Sequence, residues 1–401
     1  MKKTIVLGIT GGIAAFKSAQ LASNLVKRGH DVHVIMTKSA TEFIQPLTFE
    51  TLTHNRVSVD TFDRNYKYDV NHIALAQRAD VFVVAPASAN SIAKFAHGLA
   101  DDMLSTTFLA ATCPKLMAPA MNTGMLENPI TQRNIQLCVD AGIKFIESGD
   151  GYLACGDVGK GRLADIEVIE DAVECLLVSK KPLKGRKVVV TAGPTVESLD
   201  PVRFITNHSS GKMGYAVAKA ARNLGAEVTL ITGPVTLREP MGLQVVKVQT
   251  AQEMFEAVES LGNEYDILVK SAAVSDYRAK TVAKKKLKKC GETSLNVEFM
   301  VNEDILAHMG ARKKEHQVIC GFAMETEGLT ENAREKLKRK QVDLMVSNLL
   351  TEKEAGFKVD TNKVTLLTVD DDSPLEVMSK EALGYVIMDK LIELLKEKKN
   401  K

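Results

Sequence analysis

Twice in this 401-residue chain an apolar run ends at a glycine-bearing turn and passes into a helical pattern. Near the N-terminus Thr4–Gly8 leads to Gly11 and Gly12, and in mid-chain Val188–Val190 leads to Gly193 and Pro194. An apolar run bounded by turn residues is the pattern of a strand buried on both faces, as in a parallel sheet. The turn that follows gathers backbone N–H groups at a helix N-terminus, where an anion is favoured. Two such starts, with nearly half the chain between them, predict two doubly wound α/β units. The length agrees, because 401 residues exceed one ordinary domain.

The bulk composition narrows the partners. Residues 1–180 carry 17 basic and 19 acidic side chains, net −2, which leaves +4 for the rest of a chain whose total is +2. Neither half has the basic excess of a dedicated nucleic-acid binder. Six cysteines without C-x-x-C spacing argue against a zinc site or a disulfide framework and suit a reducing cytoplasm. The opening MKKTIVLGITGGIAAFK could be taken for a signal peptide, but Gly11 and Gly12 break its apolar run and an amphipathic helix follows. No run approaches the ~20 apolar residues of a membrane span.

In the first half, Thr4–Gly8, Ala14–Arg28 and Val32–Met36 form one βαβ pattern, with Gly29 stopping the helix. The turn Gly8-Ile-Thr-Gly-Gly places the Thr10 hydroxyl at a helix start; a plain tight turn reads equally well. Asp80–Ala85 is a strand that runs into APASAN, whose small residues let a flat ligand approach, with Ser88 or Asn90 to bond it. A further strand, Lys115–Ala118, runs into PAMNTGM. His72 precedes an apolar helical segment, where a lone histidine is more often structural, and Asn122 could equally be a cap. Ser148–Leu163 holds five glycines around Cys155 and reads as a loop: a floppy surface excursion, or a lid carrying an acid–base group. The helix Ile166–Val178 closes this half.

The ordered set GITGGIAA, NHI, APASAN, PAMNTGM and ACGDVGKGR resembles the flavin-dependent cysteine decarboxylases, specifically the phosphopantothenoylcysteine decarboxylase half of the bacterial bifunctional coenzyme A enzymes. The resemblance implies a flavodoxin-like parallel sheet, trimers with the site at subunit contacts, and FMN. It implies FMN contacts at Thr10, Gly11, Gly12, Thr37, Ser88 and Asn90. It also implies roles for His72 in oxidation and decarboxylation, for Asn122 in holding the substrate carboxylate, and for Cys155 as proton donor to an enethiolate. Leu126 stands where relatives often carry an aromatic residue.

Ser179–Arg186 is short, basic and contains Pro182, and reads as a linker; the boundaries are 1–180, a linker at 181–188, and 189–401. In the second half Lys187–Thr191 is a strand, Ser210–Leu224 a helix ended by Gly225, and Glu227–Ile231 the next strand. The long connection inside that unit points to function. A phosphate-loop reading of NHSSGKMG fails, since it requires glycine at 206, where Thr206 stands, and Met213 follows the lysine. What remains is a helix N-terminus bearing Ser209, Ser210 and Gly211, with Arg203 and Asn207 just before it. Asp266–Lys270 is a strand ending in SAAVSDYR. Six lysines then fall between Lys280 and Lys289: a solvated basic loop, a nucleic-acid patch without interleaved aromatics, or an arm that closes on a phosphate. Asn302-Glu-Asp caps a helix, Gln317–Phe322, Val342–Ser347 and Lys363–Thr368 are strands, and Thr330–Lys340 and Ser379–Lys398 are helices.

GPTVESLDPVRFITNHSSGKMG, SAAVSDYR, the lysine arm, VNEDI, Gly321-Phe322 and REKLKRK are together similar to the phosphopantothenate–cysteine ligase half of the same enzymes, on a Rossmann-like domain. The resemblance implies CTP and Mg2+, attack by the phosphopantothenate carboxylate to give an acyl-cytidylate, and displacement of CMP by the amine of cysteine. It implies Arg203 and Asn207 on the acyl-cytidylate and Lys286 in its formation or aminolysis. CTP contacts fall at Ala272, Asp276, Lys286, Asn302, Glu303, Asp304, Ile305, Phe322, Lys336 and Lys340. It also implies dimers through this half and a dodecamer overall, with no nucleic acid or membrane as partner. Val196 stands where relatives are often polar. Two other readings stay open at this point: a flavin or NAD oxidoreductase with a degenerate second Rossmann unit, and a nucleic-acid module acting through the lysine arm.

Overall fold

A computed structural model describes residues 2–62, 71–152, 158–262, 264–288, 295–325, 329–349 and 359–400. The chain divides into two compact units, Met1–Ser179 and Lys180–Lys401.

The first unit is built on five strands: β1 (Thr4–Ile9), β2 (Asp31–Met36), β3 (Val81–Ala87), β4 (Lys115–Pro119) and β5 (Lys144–Phe145). All pair in parallel in the order β2-β1-β3-β4-β5, the flavodoxin-like order. The apolar runs are continuous because helices cover both faces. Ile5, Leu7 and Ile9 enter one core with Leu21 and Leu25 of the helix Ala15–Lys27, while Val6 enters the opposite core with Phe82, Ile92 and Phe108. Each such fully buried side chain contributes roughly 1.5–3 kcal/mol from burial alone. Ser148–Leu163, expected as a loop, is instead the stem of an antiparallel hairpin, β6 (Gly149–Tyr152) and β7 (Val158–Arg162). Its glycines hid the strands, because glycine carries little strand signal.

The second unit opens with β8 (Lys187–Ala192), β9 (Val196–Ser198), β10 (Phe204–Thr206), β11 (Glu227–Thr232), β12 (Gln244–Lys247) and β13 (Ile267–Lys270). It continues with β14 (Tyr277–Ala279), β15 (Phe299–Val301), β16 (Val318–Glu325), β17 (Leu344–Leu349), β18 (Thr361–Asn362), β19 (Thr365–Leu367), β20 (Asp372–Pro374) and β21 (Met378–Ser379). The main sheet runs β12-β11-β8-β13-β16-β17-β19-β20. It is parallel from β12 to β17, and β19 and β20 add antiparallel edges. Chain order reverses between β8 and β13, the place where doubly wound sheets open a ligand crevice. The long connection after β8 folds as the hairpin β9–β10.

Two sequence expectations change here. Residues 181–188 are not a free linker. Leu183 is buried, its N–H donates to Leu224 O at 3.0 Å, Lys181 Nζ donates to Asn223 O at 2.6 Å, and β8 begins at Lys187. One apolar residue among basic ones anchors the stretch to the second unit. The helix expected from Ser210 starts at Lys212, with Gly211 as its N-cap at φ 78°. That left-handed conformation favours glycine, and a Cβ there would also stand 2.8 Å from Val235 Cγ1.

Candidate functional site

In the first unit the C-terminal ends of β1 to β4 open into a cavity of about 990 Å³. Gly11 and Gly12 follow β1, Thr37 follows β2, Ser88 and Asn90 follow β3, and Asn122 follows β4; all six line it. The position is the β1/β3 switch point, and the volume lies at the upper end of small-molecule pockets. Ile13, Phe16, Phe62 and Met125 form its apolar rim, each more than half exposed.

Thr10, expected at the ligand, is buried behind it. Its hydroxyl donates to Pro86 O at 2.8 Å and accepts the Ser88 N–H at 2.9 Å. It stitches the β1 turn to the β3 turn and so places Ser88. Ser88 Oγ in turn accepts the Ser91 N–H and caps the helix Ala89–His97. Thr37 Oγ1 caps its own short helix through Ala40 N–H.

Asn122 Oδ1 accepts the Gly124 N–H at 2.8 Å, so the residue caps a turn while lining the cavity. The β6–β7 stem is docked on this turn. Met121 N–H donates to Gly161 O at 3.0 Å and Thr123 Oγ1 to Lys160 O at 2.6 Å. Gly161 has φ 124°, and a Cβ there would lie 2.2 Å from Met121 O. Only glycine admits that approach. The stem is thereby fixed beside Asn122; Cys155 lies outside the described residues. His72, in the first turn of the helix Asn71–Arg78, does not line the cavity of the single chain.

Charged groups that sequence reading passed over also face this cavity. Lys17 and Arg162 both line it. Burial, then the Arg162 charge, lowers the Lys17 pKa, partly offset by Asp165. On another wall Lys94 is clamped by Asp101 at 2.6 Å and Asp102 at 2.8 Å. Burial alone would lower its pKa, but those two bonds raise it.

In the second unit the loops after β8 and β13 are sewn together. Ala272 N–H donates to Thr191 Oγ1 at 3.2 Å, Ser275 N–H to Thr195 Oγ1 at 3.0 Å, and Asn207 Nδ2 to Ala273 O at 3.0 Å. Arg203 pairs with Asp200, its Nε at 2.9 Å, and its Nη2 donates to Leu287 O at 2.6 Å at the base of the lysine arm. Lys284 to Lys286 are exposed. Asn302 is buried, with Nδ2 donating to Ser275 O at 2.8 Å and Oδ1 accepting from Arg278 at 2.6 Å. Asp304, not Asn302, caps the helix Ile305–Ala311, and it pairs with Lys340 at 3.0 Å. At the end of β13, Lys270 lies on the strand face of Leu268, beside Asp304, Lys340 and Asp276. Burial and the Lys340 charge push its pKa down to about 8, against smaller opposing effects of the two aspartates.

Similarity to known proteins agrees with both halves. A family model described as Flavoprotein matches residues 1–177, and one described as DNA/pantothenate metabolism flavoprotein C-terminal domain matches residues 183–395. The chain is 46% identical over 399 residues to the coenzyme A biosynthesis bifunctional protein CoaBC of Bacillus subtilis, covering 98% of both chains. The chain belongs to the bifunctional coenzyme A biosynthesis proteins. Its identity to the member of that family from Escherichia coli K12 is 41% over 398 residues, covering 99% of this chain and 98% of that one. A crystal structure of the C-terminal domain of a CoaBC protein aligns at 36% identity with a TM-score of 0.47, covering 54% of this chain and all of that one.

As a member of this bifunctional family, the chain gathers its expected residues unevenly. Gly11, Gly12, Thr37, Ser88, Asn90 and Asn122 share one cavity, whereas Thr10 supports it from behind and His72 stands apart. In the second unit Arg203, Asn207, Ala272, Asp276, Asp304 and Lys340 belong to one connected set of loops and helix ends. Asn302 is a buried brace, Ile305 is core, Glu303 is exposed, and Phe322 and Lys336 are half-buried on β16 and the helix Leu329–Arg339. Lys270 was missed because a lysine at a strand end reads as a solvated terminus. Lys17 was missed because a lysine on an amphipathic helix reads as its polar face.

Proposed function

We propose that the second unit joins cysteine to 4'-phosphopantothenate at the expense of CTP, through an acyl-cytidylate, and that the first unit decarboxylates the product to 4'-phosphopantetheine. The observation that carries this reading is the presence in one chain of both a flat-ligand cavity beside Asn122 and a basic loop cluster around Asn207 and Arg203. A carboxylate is a poor electrophile, so amide formation demands prior activation. Arg203, Lys286, Lys340 and Lys270 supply positive charge where a triphosphate would leave charge behind. The Asn207 amide, steered by Ala273 O, is held to meet the acyl group. Among the described residues no three carboxylate, histidine or thiol groups cluster as a metal site. Mg2+ would enter on the triphosphate, as is usual for that ion.

The first cavity fits FMN. Its Gly11–Gly12 turn and small-residue β3 loop admit a flat ring system, and Lys17 and Arg162 supply cationic charge for a phosphate. Bound flavin would supply an electron pair sink for the cysteinyl carbon and later return the pair. The chain's own residues do the rest. Asn122 orients the substrate carboxylate, and its rigidity comes from the turn it caps and the docked hairpin. The apolar rim excludes water. Cys155, which falls between the two stem strands in sequence, donates the final proton. His72 would reach the site from a neighbouring copy, which accords with trimers through the first unit. The β14–β15 ribbon, with Tyr277 and Val301 more than half exposed, is suited to dimers through the second, giving a dodecamer in the cytoplasm.

Incubation of the purified protein with phosphopantothenate, cysteine and CTP, followed by mass spectrometry, tests the reading. Phosphopantetheine, CMP, pyrophosphate and CO₂ are expected from a yellow protein. Ligation without CTP consumption, or a colourless protein that completes the sequence, would overturn it.

A further inference from the structure

The segment joining β9 to β10 carries a buried carboxylate that the ligase reading leaves without a task. Asp200 is 2% exposed. Its Oδ1 accepts the N–H groups of Val202 and Arg203, each at 2.8 Å. Its Oδ2 accepts Arg203 Nε at 2.9 Å, Arg203 Nη2 at 2.6 Å and the Leu287 N–H at 3.1 Å. The first two bonds would suffice for a turn. The others do more, because the Leu287 contact spans 87 residues and reaches the residue next to Lys286.

Three further observations give the arrangement a direction. Arg203 Nη2 also donates to Leu287 O, so both backbone polar groups of Leu287 are held by one ion pair. Ala283 N–H donates to Leu199 O at 3.0 Å, a second tie that brackets exposed Lys284–Lys286 between two fixed points. Arg203 remains 43% exposed, and among the described residues its Nη1 makes no hydrogen bond, which leaves it for an anion. Burial alone would raise the Asp200 carboxyl; the Arg203 guanidinium and the N–H groups of Val202, Leu287 and Arg203 hold it far below the ordinary carboxylate range. The clamp is therefore charged at any working pH.

We propose that Asp200 is a positioning residue of the ligase reaction, clamping Arg203 and the stem of the lysine arm into one body so that Lys286 is presented at a fixed place. The inference rests on the reading of Lys286 as a reacting-site lysine. It says that an exposed run of lysines, otherwise free to sample solvent, is pre-ordered by one buried carboxylate, and that Arg203 both holds the arm and meets the ligand.

The test uses the full-length protein with Asp200→Asn, Lys286→Gln and the double variant. Asp200→Asn should lower ligase kcat by roughly 10- to 100-fold, the scale set by lost positioning. Decarboxylation of supplied phosphopantothenoylcysteine should be unchanged. Limited trypsin should cut within Lys284–Lys288 several-fold faster than in the unaltered protein. The double variant should be no slower than Lys286→Gln alone, since Asp200 acts through that lysine; losses that multiply would mean a separate structural role. Unchanged trypsin cleavage, or ligase kcat at the unaltered level, overturns the proposal. Should Asp200→Asn fail to fold, Arg203→Lys decides: it keeps the carboxylate paired but removes the fork onto Leu287, so cleavage at the unaltered rate overturns the clamp. If Lys286→Gln itself ligates normally, the ligase reading has failed, while the trypsin result still judges the clamp.

Discussion

The two glycine turns begin alike and end differently. After β1, the turn at Gly11 and Gly12 is short, and its backbone faces the cavity directly. After β8, the corresponding turn at Gly193 opens into a hairpin, β9–β10, and a helix that starts only at Lys212. In the first unit, side chains such as Thr10 brace the turns whose backbone lines the cavity. In the second, Asp200, Thr191, Thr195 and Asn302 hold other loops in place, and the side chains proposed to react stand on those loops. A short turn before a helix suits a preformed flat cofactor, whereas a long braced loop suits a ligand that is made and broken there.

The contrast can be broken at several points. Within the first unit the largest effect is expected at Cys155. Cys155→Ser should still release CO₂ but leave the oxidised product, with phosphopantetheine output down at least ~100-fold, the scale of a general acid; normal output seen by mass spectrometry would remove the hairpin from the chemistry. Gly161→Ala forces a Cβ to within 2.2 Å of Met121 O at φ 124°. It should cost the first unit ~2–4 kcal/mol and reduce decarboxylation while ligation is kept, which calorimetry and the two separate assays would register. Thr10→Val removes both bonds between the β1 and β3 turns. A loss of ~1–3 kcal/mol and weaker FMN retention on dialysis are expected; unaltered retention would mean that the backbone needs no such support.

The smallest effect concerns pH. Lys270 titrates near 8 when folded against an ordinary 10.5, so the unfolded chain holds its proton to higher pH. Its cost is fully present below about pH 8 and is relieved as pH rises from there towards 10.5. Lys270→Met should flatten that rise and lift the melting temperature at pH 7 by a few degrees; a lower melting temperature at pH 7 would contradict a charge held at a cost there.

Much of this was legible beforehand where one physical signal dominated. The apolar runs at Thr4–Gly8 and Val188–Val190 had no place but a sheet covered on both faces, and Ala15, Ala22 and Leu25 recur at helical spacing. Small residues after strands marked both ligand loops. What escaped depended on distant partners. The glycine-rich β6–β7 stem is a hairpin because Met121 and Thr123 bond it, not because its residues favour strands. Leu183 made a basic stretch part of a domain. Nothing local announces the partners of the Thr10 hydroxyl, because Pro86 and Ser88 lie 76 and 78 residues away. Asp200 drew no notice in a loop of polar residues, and only the fold brings Leu287 to it.

On the proposed function, two separable sites act in sequence on one molecule. Lys286→Gln tests it most directly when assayed in both halves at once, with CTP-driven ligation of phosphopantothenate to cysteine and CO₂ release from supplied phosphopantothenoylcysteine. Ligation should fall on the order of 1,000-fold while CO₂ release holds at the unaltered rate. A parallel fall in both activities, or no fall in either, would contradict it.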